Sequence, residues 1–129
     1  MRLGELDREE IDQVLSTQII GRIGCHADGK TYIVPIAYAW DGDSIYVHSF
    51  EGLKLRIMRR NPSVCLEVEE LHAPDDWRTV VAQGTFEELH GVDAERALHL
   101  IVARCPPPSH DGTVFRIRLD QRSGRFASP

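Results

Sequence analysis

The alternation of hydrophobic and polar residues predicts a chain built mostly of β-strands. Residues 19–27 (IIGRIGCHA) and 31–40 (TYIVPIAYAW) have the composition of strands, and the turn dipeptide Asp28-Gly29 lies between them. A second turn, at residues 41–43 (DGD), leads to a third strand at residues 44–49 (SIYVHS). Because the connections are this short, we expect the three strands to form an antiparallel meander.

The second half of the chain predicts three further strands. In residues 63–71 (SVCLEVEEL) apolar and polar positions alternate, which indicates a strand with one wet face. Residues 77–89 (WRTVVAQGTFEEL) and 113–120 (TVFRIRLD) complete the set, and a polar tail follows. Pro35 predicts an edge or a bulge at its position, because its nitrogen cannot donate to a ladder.

Three helices separate these strands. The first has a complete start signal, with Asp7 as the N-cap and Glu10 as its capping-box partner, and should end near Ser16. The second covers residues 51–60 and stops at Asn61-Pro62, and the third covers residues 92–105. A mainly β, six-stranded antiparallel barrel with three peripheral helices in a single domain, residues 1–129, is therefore expected. A β-sandwich is the competing architecture.

Composition narrows the class of protein. The chain has 129 residues, a formal net charge of −5 and a pI near 5.6, which argue against electrostatic attraction to nucleic acid. Its three cysteines form no CxxC pair, no apolar run is long enough to span a bilayer, and the N-terminus lacks the apolar region of a signal peptide. We expect a cytoplasmic protein without nucleic-acid or membrane partners.

The second helix carries a lysine on the side that should be buried. If Phe50 is placed at zero and each residue turns ~100°, Leu53, Ile57 and Met58 fall on the apolar arc and Lys54 lies among them at ~40°. Three arginines (Arg56, Arg59, Arg60) fall opposite, on a solvent-facing side. Lys54 either extends past its apolar neighbours to water or directs its ammonium at a fixed anion.

His48 and Ser49 favour the anion. They end a strand directly before this helix, so the Ser49 hydroxyl and the first helical amides should point the same way as Lys54. A helix start with free N–H groups, a hydroxyl and a lysine has the donors that bind phosphate. No histidine or cysteine spacing indicates a metal site, and no GxGxxG, P-loop or GxSxG sequence occurs. No catalytic residue can be named.

The order of these motifs resembles a known family. GRIG, YIVPIAY, DGDSIYVHSFEGLK, RRNPSVCLEVEE and VVAQGTFEEL follow one another as in the pyridoxamine 5'-phosphate oxidase-like, FMN-binding split-barrel proteins. Within that family the chain is most similar to the small nitroimidazole-resistance flavoproteins. The resemblance implies a six-stranded split barrel that forms a homodimer, with FMN bound in the clefts between the two subunits.

The resemblance also implies a set of cofactor-binding residues. The backbone of Val34, Pro35, Ile36 and Ala37 would line the flavin ring, and His48, Ser49 and Lys54 would hold the phosphate. Thr79 corresponds to a further flavin-contacting position, and Trp77 and Arg78 would lie near the cleft. Two arginines of the vitamin oxidases are replaced here, by Leu53 and Ile33, and their C-terminal substrate segment has no counterpart after SGRFASP. Oxidation of pyridoxamine phosphate is therefore not expected.

The leading functional prediction is an NAD(P)H-dependent, FMN-binding oxidoreductase that reduces small organic acceptors, including nitro compounds. The chemistry would belong to the flavin, while the protein would supply orientation and electrostatics. The alternative is a carrier that holds flavin, haem or deazaflavin on the same fold without turnover.

Overall fold

The computed structural model describes residues 1–105 and 112–129, which form eight strands and three helices. In chain order these are β1 (Arg2–Glu5), α1 (Arg8–Thr17), β2 (Ile20–Ala27), β3 (Lys30–Ala37), β4 (Ala39–Trp40), β5 (Ser44–Ser49), α2 (Leu53–Arg60), β6 (Ser63–Ala73), β7 (Asp76–Glu88), α3 (Gly91–Arg104) and β8 (Thr113–Ser128). The mainly β class with three helices is confirmed. The proline run at residues 106–108, which follows the third helix in the sequence, lies outside the described residues.

One antiparallel sheet contains all eight strands, in the order β3-β2-β6-β7-β8-β5-β4, with β1 paired to the end of β8. The sheet curls around a core of side chains that includes Leu15, Ile23, Leu66 and Phe115, each almost fully buried. The end strand β3 approaches β5, the strand next to the opposite end of the sheet, and the two are in contact without sharing a ladder. The barrel is therefore split at this point, and the alternative of a sandwich of two sheets is excluded.

The predicted number of strands was wrong, because eight are present among the described residues instead of six. Residues 2–5 form an unpredicted strand, and the predicted strand at residues 31–40 is interrupted at Tyr38. The Tyr38 hydroxyl donates to the Leu15 carbonyl oxygen (2.8 Å), which fixes the Tyr38 side chain against α1.

The predicted three-stranded meander forms only in part. The β2–β3 hairpin forms as expected, with positive φ at Asp28 (54°) and Gly29 (77°). The last two residues of the predicted second strand, which form β4, also pair with β5, but β3 does not, and the other partner of β5 is β8. Pro35 does lie on an edge strand, since β3 pairs only with β2 among the described strands. The separation of β3 from β5 leaves a cavity between the two strands.

Candidate functional site

A cavity of about 380 Å³ occupies the split between β3 and β5. Its walls come from Tyr32 and residues 34–37 on β3, from residues 47–49 on β5, and from the segment 50–54 that enters α2. A volume of this size falls in the range of small-molecule sites. Seven of the ten predicted cofactor-binding residues line it: Val34, Pro35, Ile36, Ala37, His48, Ser49 and Lys54.

The start of α2 faces this cavity without a cap. The first backbone bond into the helix runs from the Arg56 N–H to the Gly52 carbonyl oxygen (3.2 Å), and no side chain of the described residues accepts from the N–H groups before it. The start of α1 differs, because Asp7 and Glu10 satisfy each other's backbone N–H groups in a capping box. Free donors and the positive end of a helix dipole therefore remain available at the cavity.

Lys54 adds a cation beside these donors. Its side chain is half-buried at the cavity, and loss of hydration lowers the pKa of its ammonium below the ordinary value. The predicted helical arc needs correction, since α2 begins at Leu53, Phe50 precedes it and is half-exposed, and Leu55 joins the core. The prediction that Lys54 lies on the buried side is confirmed, for its helical neighbours Leu55, Ile57 and Met58 are all buried.

Gly52 and Ser49 leave room for a ligand at the helix start. A Cβ added to Gly52 would meet no atom within 4 Å, and its φ of 172° is accessible to any residue. Neither packing nor backbone conformation therefore requires glycine at position 52. A ligand that approaches the backbone closely would require it. The Ser49 hydroxyl is buried and donates to the Phe50 carbonyl oxygen (3.0 Å), so a rotation about its side-chain bond would redirect it.

His48 contributes a polar atom that lacks a protein partner. Its Nδ1 is buried, and no described residue hydrogen-bonds to it. Gly112 lies against the other side of the ring, where a Cβ would be 3.1 Å from His48 Nε2 and 2.7 Å from the Ser49 carbonyl oxygen. A larger residue would not fit there, and the Nδ1 side of the imidazole remains available to a ligand.

Two residues that sequence reasoning missed hold the rim of the cavity. Glu51 accepts two hydrogen bonds from Arg59 (Nη1–Oε2 and Nη2–Oε1, both 2.7 Å) and a third from the Thr113 hydroxyl (2.9 Å). The Arg59 guanidinium lowers the pKa of Glu51 to about 2. Arg59 also bonds to Glu88 at the end of β7. The only sequence signal was the opposite charge of two residues eight apart.

The edge of β3 supplies backbone groups. Because β3 pairs with β2 on one side only among the described strands, alternate N–H and C=O groups point away from the sheet toward the cavity. Pro35 offers a carbonyl but no N–H. Such an edge suits a planar heterocycle whose rim carries both donors and acceptors, and the half-buried ring of Tyr32 lies beside it.

Three predicted residues lie elsewhere on the chain. Trp77, Arg78 and Thr79 are on β7, two strands away from β2, and do not line the cavity. The Trp77 indole donates to the Pro74 carbonyl oxygen (3.1 Å) within its own hairpin. Thr79 and Trp77 share the outer face of the sheet, in register with Glu69 and Leu71. Their cofactor role stays a prediction.

Arg78 points to the opposite face from Thr79. Its guanidinium forms a bidentate pair with Glu70 (Nε–Oε2 3.0 Å, Nη2–Oε1 2.8 Å), and its Nη1 donates to the Gln13 side chain on α1 (3.3 Å). Arg78 lowers the pKa of Glu70, and a contact with His72 adds to the effect. In this chain Arg78 therefore joins β6, β7 and α1.

The described residues offer neither a metal site nor a membrane-spanning helix. They contain no group of three or more histidine, cysteine, aspartate or glutamate side chains that could hold a metal ion. Within the same ranges, 1–105 and 112–129, none of the helices combines the length and the apolar character needed to cross a bilayer.

Sequence comparison now identifies the family. A profile described as pyridoxamine 5'-phosphate oxidase matches residues 7–126. The chain belongs to the pyridoxamine 5'-phosphate oxidase family. The predicted resemblance, which was based on motifs between the first helix and the end of β7, is thereby confirmed and extends through most of β8.

Individual relatives agree with this membership. A FAD-binding protein of Mesorhizobium loti is 32% identical, with a TM-score of 0.86 over 99% of this chain and 100% of its own. A candidate 5-nitroimidazole antibiotic resistance protein of Bacteroides thetaiotaomicron is 18% identical and shares the fold, with a TM-score of 0.79 over 97% of this chain and 87% of its own. An uncharacterized protein of Rhizobium meliloti is 38% identical over 84 residues, 65% of this chain, and the match spans 56% of that relative's length.

Proposed function

We propose that this protein binds FMN in the cavity between β3 and β5 and acts as a cytoplasmic, NAD(P)H-dependent reductase of small organic acceptors, nitro compounds among them. The observation that carries the proposal is the uncapped start of α2 with the half-buried Lys54 beside it. A phosphate at this position would neutralise the desolvated cation and accept hydrogen bonds from the free N–H groups. The 32% identical relative described as FAD-binding supports a flavin as the bearer of that phosphate.

The residues of the cavity fit the two ends of FMN. The N–H groups at Gly52 and Leu53, the Ser49 hydroxyl and the Lys54 ammonium would hold the phosphate. His48 Nδ1, which has no partner among the described residues, would add a further donor or acceptor at that end. The edge of β3 from Val34 to Ala37 would bind the rim of the ring through its backbone.

The proposed assembly is a homodimer that joins the outer faces of two sheets. Thr79 lies three strands from β3, or ~14 Å at the usual strand spacing, so it does not reach the cavity of its own chain. A second copy packed on the outer face would bring Thr79 and Trp77 toward the partner's cofactor. The same face carries exposed apolar side chains, namely Ile20, Ile33, Leu71 and Val81, whose burial would stabilise such a dimer.

When bound, the flavin would supply the chemistry by accepting a hydride and passing electrons to the acceptor. The protein would contribute binding and orientation. Lys54 would fix the phosphate end, the β3 edge would fix the plane of the ring, and the Glu51–Arg59 pair would hold the entry segment in place. No described side chain is needed as a general acid or base for this role.

The test is a spectrum of the purified protein. We expect flavin absorbance, in the protein as isolated or after reconstitution with FMN, that bleaches on addition of NADH or NADPH under anaerobic conditions and returns with a nitroaromatic acceptor. Protein that takes up no FMN would refute the proposal. Flavin that binds but is reduced by neither nucleotide would refute the reductase assignment and leave a carrier.

A further inference from the structure

A second cavity, of about 260 Å³, lies between α3 and the sheet. One wall is a single face of α3, since Asp93, Arg96, Ala97 and Leu100 follow one another at helical spacings of three, one and three residues. The other wall comes from the β4–β5 turn, from β5 and from β8. None of its lining residues also lines the first cavity, so the second cavity is a separate site.

The strand wall of the second cavity holds a row of fixed polar side chains. The Tyr46 hydroxyl donates to Asp41 Oδ2 (2.6 Å), and Asp41 Oδ1 accepts from two backbone N–H groups of the turn (2.9 and 2.8 Å). Arg116 lies in register with Tyr46 on β8, and its Nε donates to Glu87 Oε1 (2.7 Å). Burial raises the pKa of Tyr46, and the bond to Asp41 adds to the effect, so the hydroxyl keeps its proton.

The helix wall presents two opposite charges. Asp93 and Arg96 are three residues apart on α3, a spacing at which a carboxylate and a guanidinium can pair. They do not pair with each other, and neither forms an ion pair with any residue in the ranges 1–105 and 112–129. Both charges therefore remain available to a ligand.

The remaining lining of the second cavity is apolar. Leu89 and Ala97 are buried there, whereas Leu100 is 39% exposed. An apolar group in the cavity would remove the exposed surface of Leu100 from water. The volume lies below the roughly 300–1,000 Å³ that is usual for sites of drug-sized molecules, so the cavity suits a smaller ligand.

The charges of the helix wall select the class of ligand. A simple carboxylate would pair with Arg96 and leave Asp93 unpaired, and a simple amine would do the reverse. A molecule that carries an ammonium and a carboxylate would satisfy both residues. The Cβ atoms of residues three apart on a helix are ~5–6 Å from each other, which matches a ligand whose two charges are joined through one carbon atom.

We propose that the second cavity binds a free α-amino acid with an apolar side chain. Its carboxylate would bind Arg96, its ammonium would bind Asp93, and its side chain would pack on Leu100. The Tyr46 oxygen, whose own proton is donated to Asp41, would accept a further hydrogen bond from the ammonium. This binding goes beyond the proposed flavin function and does not depend on it, because the two cavities share no lining residue.

The experiment is a titration of the isotope-labelled protein with L-leucine, followed in amide NMR spectra. Two analogues each lack one charge: isocaproate has no ammonium, and isoamylamine has no carboxylate. We expect L-leucine to bind wild type at millimolar concentrations and at least about tenfold more tightly than either analogue. The amide signals that shift should belong to residues 41–46 and 93–100.

Variants of the two charged residues test each end of the ligand separately. In Arg96→Ala, L-leucine should bind no more tightly than isoamylamine does, because the carboxylate has lost its partner. In Asp93→Ala, it should bind no more tightly than isocaproate does. Arg8→Ala on α1 is the matched control for loss of an exposed positive charge, and Glu95→Ala, on another face of α3, is the control for loss of a negative charge. Both controls should keep the tenfold preference.

Three results would overturn the inference. The first is the absence of saturable shifts with L-leucine in wild type. The second is equal affinity of wild type for L-leucine and for either analogue, because the cavity would then recognise only one of the two charges. The third is a loss of the preference in Arg8→Ala or Glu95→Ala as large as in Arg96→Ala or Asp93→Ala, because net charge alone would then explain the binding.

Discussion

Arg59 binds Glu51 through two hydrogen bonds of 2.7 Å and thereby ties the last turn of α2 to the segment that enters the helix. The same guanidinium bonds to Glu88, so the segment is also fixed to the end of β7. Sequence reasoning placed Arg59 on a solvent-facing side with Arg56 and Arg60. All three are exposed, but Arg59 lies between two carboxylates instead of facing only water.

Replacing Arg59 should therefore loosen the phosphate end of the site. We expect Arg59→Gln to weaken FMN binding, but by less than Lys54→Ala does, because the helix amides and Lys54 remain in place. Isothermal titration of the two variants and of Arg8→Ala compares the effects. An Arg59→Gln affinity equal to wild type would show that the Glu51–Arg59 pair does not organise the cavity.

Gly52 tests whether a ligand approaches the backbone at the helix start. Because an added Cβ meets no protein atom within 4 Å, Gly52→Ala should change the free energy of unfolding by no more than about 1 kcal/mol. FMN affinity should nevertheless fall by about tenfold or more, since the methyl group occupies the space of the phosphate. The affinity for riboflavin, which lacks the phosphate, should fall much less. Unchanged FMN affinity would place the phosphate elsewhere.

Val81 tests the proposed dimer. It is 45% exposed at the centre of the outer face, in register with Glu67 on β6 and Ser123 on β8. Val81→Lys places a charge in the proposed interface, while its proximity to Glu67 limits the cost to the isolated chain. We expect the variant to sediment as a monomer in analytical ultracentrifugation. We also expect it to have lost its affinity for flavin.

Val92→Lys is the matched control for this experiment, since Val92 is an exposed valine on α3, away from the sheet face. It should remain dimeric and flavin-bound. A Val81→Lys protein that stays dimeric with full flavin affinity would contradict the proposed interface.

The Arg78–Glu70 pair predicts a pH dependence of stability. The folded-state pKa of Glu70 is depressed, so the stabilisation is present above its ordinary value near 4.5 and is lost as the pH falls through the lower folded-state pKa. Arg78→Ala should cost about 1–2 kcal/mol at pH 7. The difference from wild type in urea unfolding of flavin-free protein should shrink below pH 4. If the difference in unfolding free energy between wild type and Arg78→Ala stays constant at acidic pH, the stabilisation by Arg78 comes from its bond to Gln13 or from packing instead of from Glu70.

Local signals in the sequence predicted the parts of the fold that depend on neighbours in the chain. The capping box of Asp7 and Glu10 and the Asp28-Gly29 turn both form, because each is a contact between residues at most three apart. The pairing of β5 with β8 joins residues about 70 positions apart in the chain, for example Val47 with Phe115. No local pattern encodes that pairing, and the meander prediction failed only where β3 separates from β5.

The polar tail shows why the last strand was predicted too short. Its inward positions include Arg122 and Gly124, so the hydrophobic alternation disappears although the strand continues. Arg122 is 4% exposed, lies 4.9 Å from the Trp40 ring centroid and pairs with Asp12. Gly124 lies under Leu6, where a Cβ would be 2.8 Å from a side-chain carbon. A buried arginine and a tightly packed glycine thus take the positions where apolar residues were expected.

The candidate site also contains one part that local sequence predicted and another that it did not. His48, Ser49 and Lys54 are close in sequence, so a strand end followed by a helix start was enough to bring them together. The opposite wall on β3 came from family resemblance, and the structure brings it to the same cavity. Glu51 and Arg59 were missed because their contact depends on the entry segment folding back along α2, and opposite charges eight residues apart do not predict that geometry.

The most direct test of the account compares FMN and riboflavin affinities in wild type and Lys54→Ala. Lys54 should contribute roughly 1.5–3 kcal/mol to binding through the phosphate alone, the range for a hydrogen bond with a charged group. Wild type should therefore prefer FMN over riboflavin, and Lys54→Ala should lose at least about tenfold of that preference with riboflavin affinity unchanged. An identical FMN-to-riboflavin ratio in the two proteins would contradict the assignment of the phosphate to Lys54 and the start of α2.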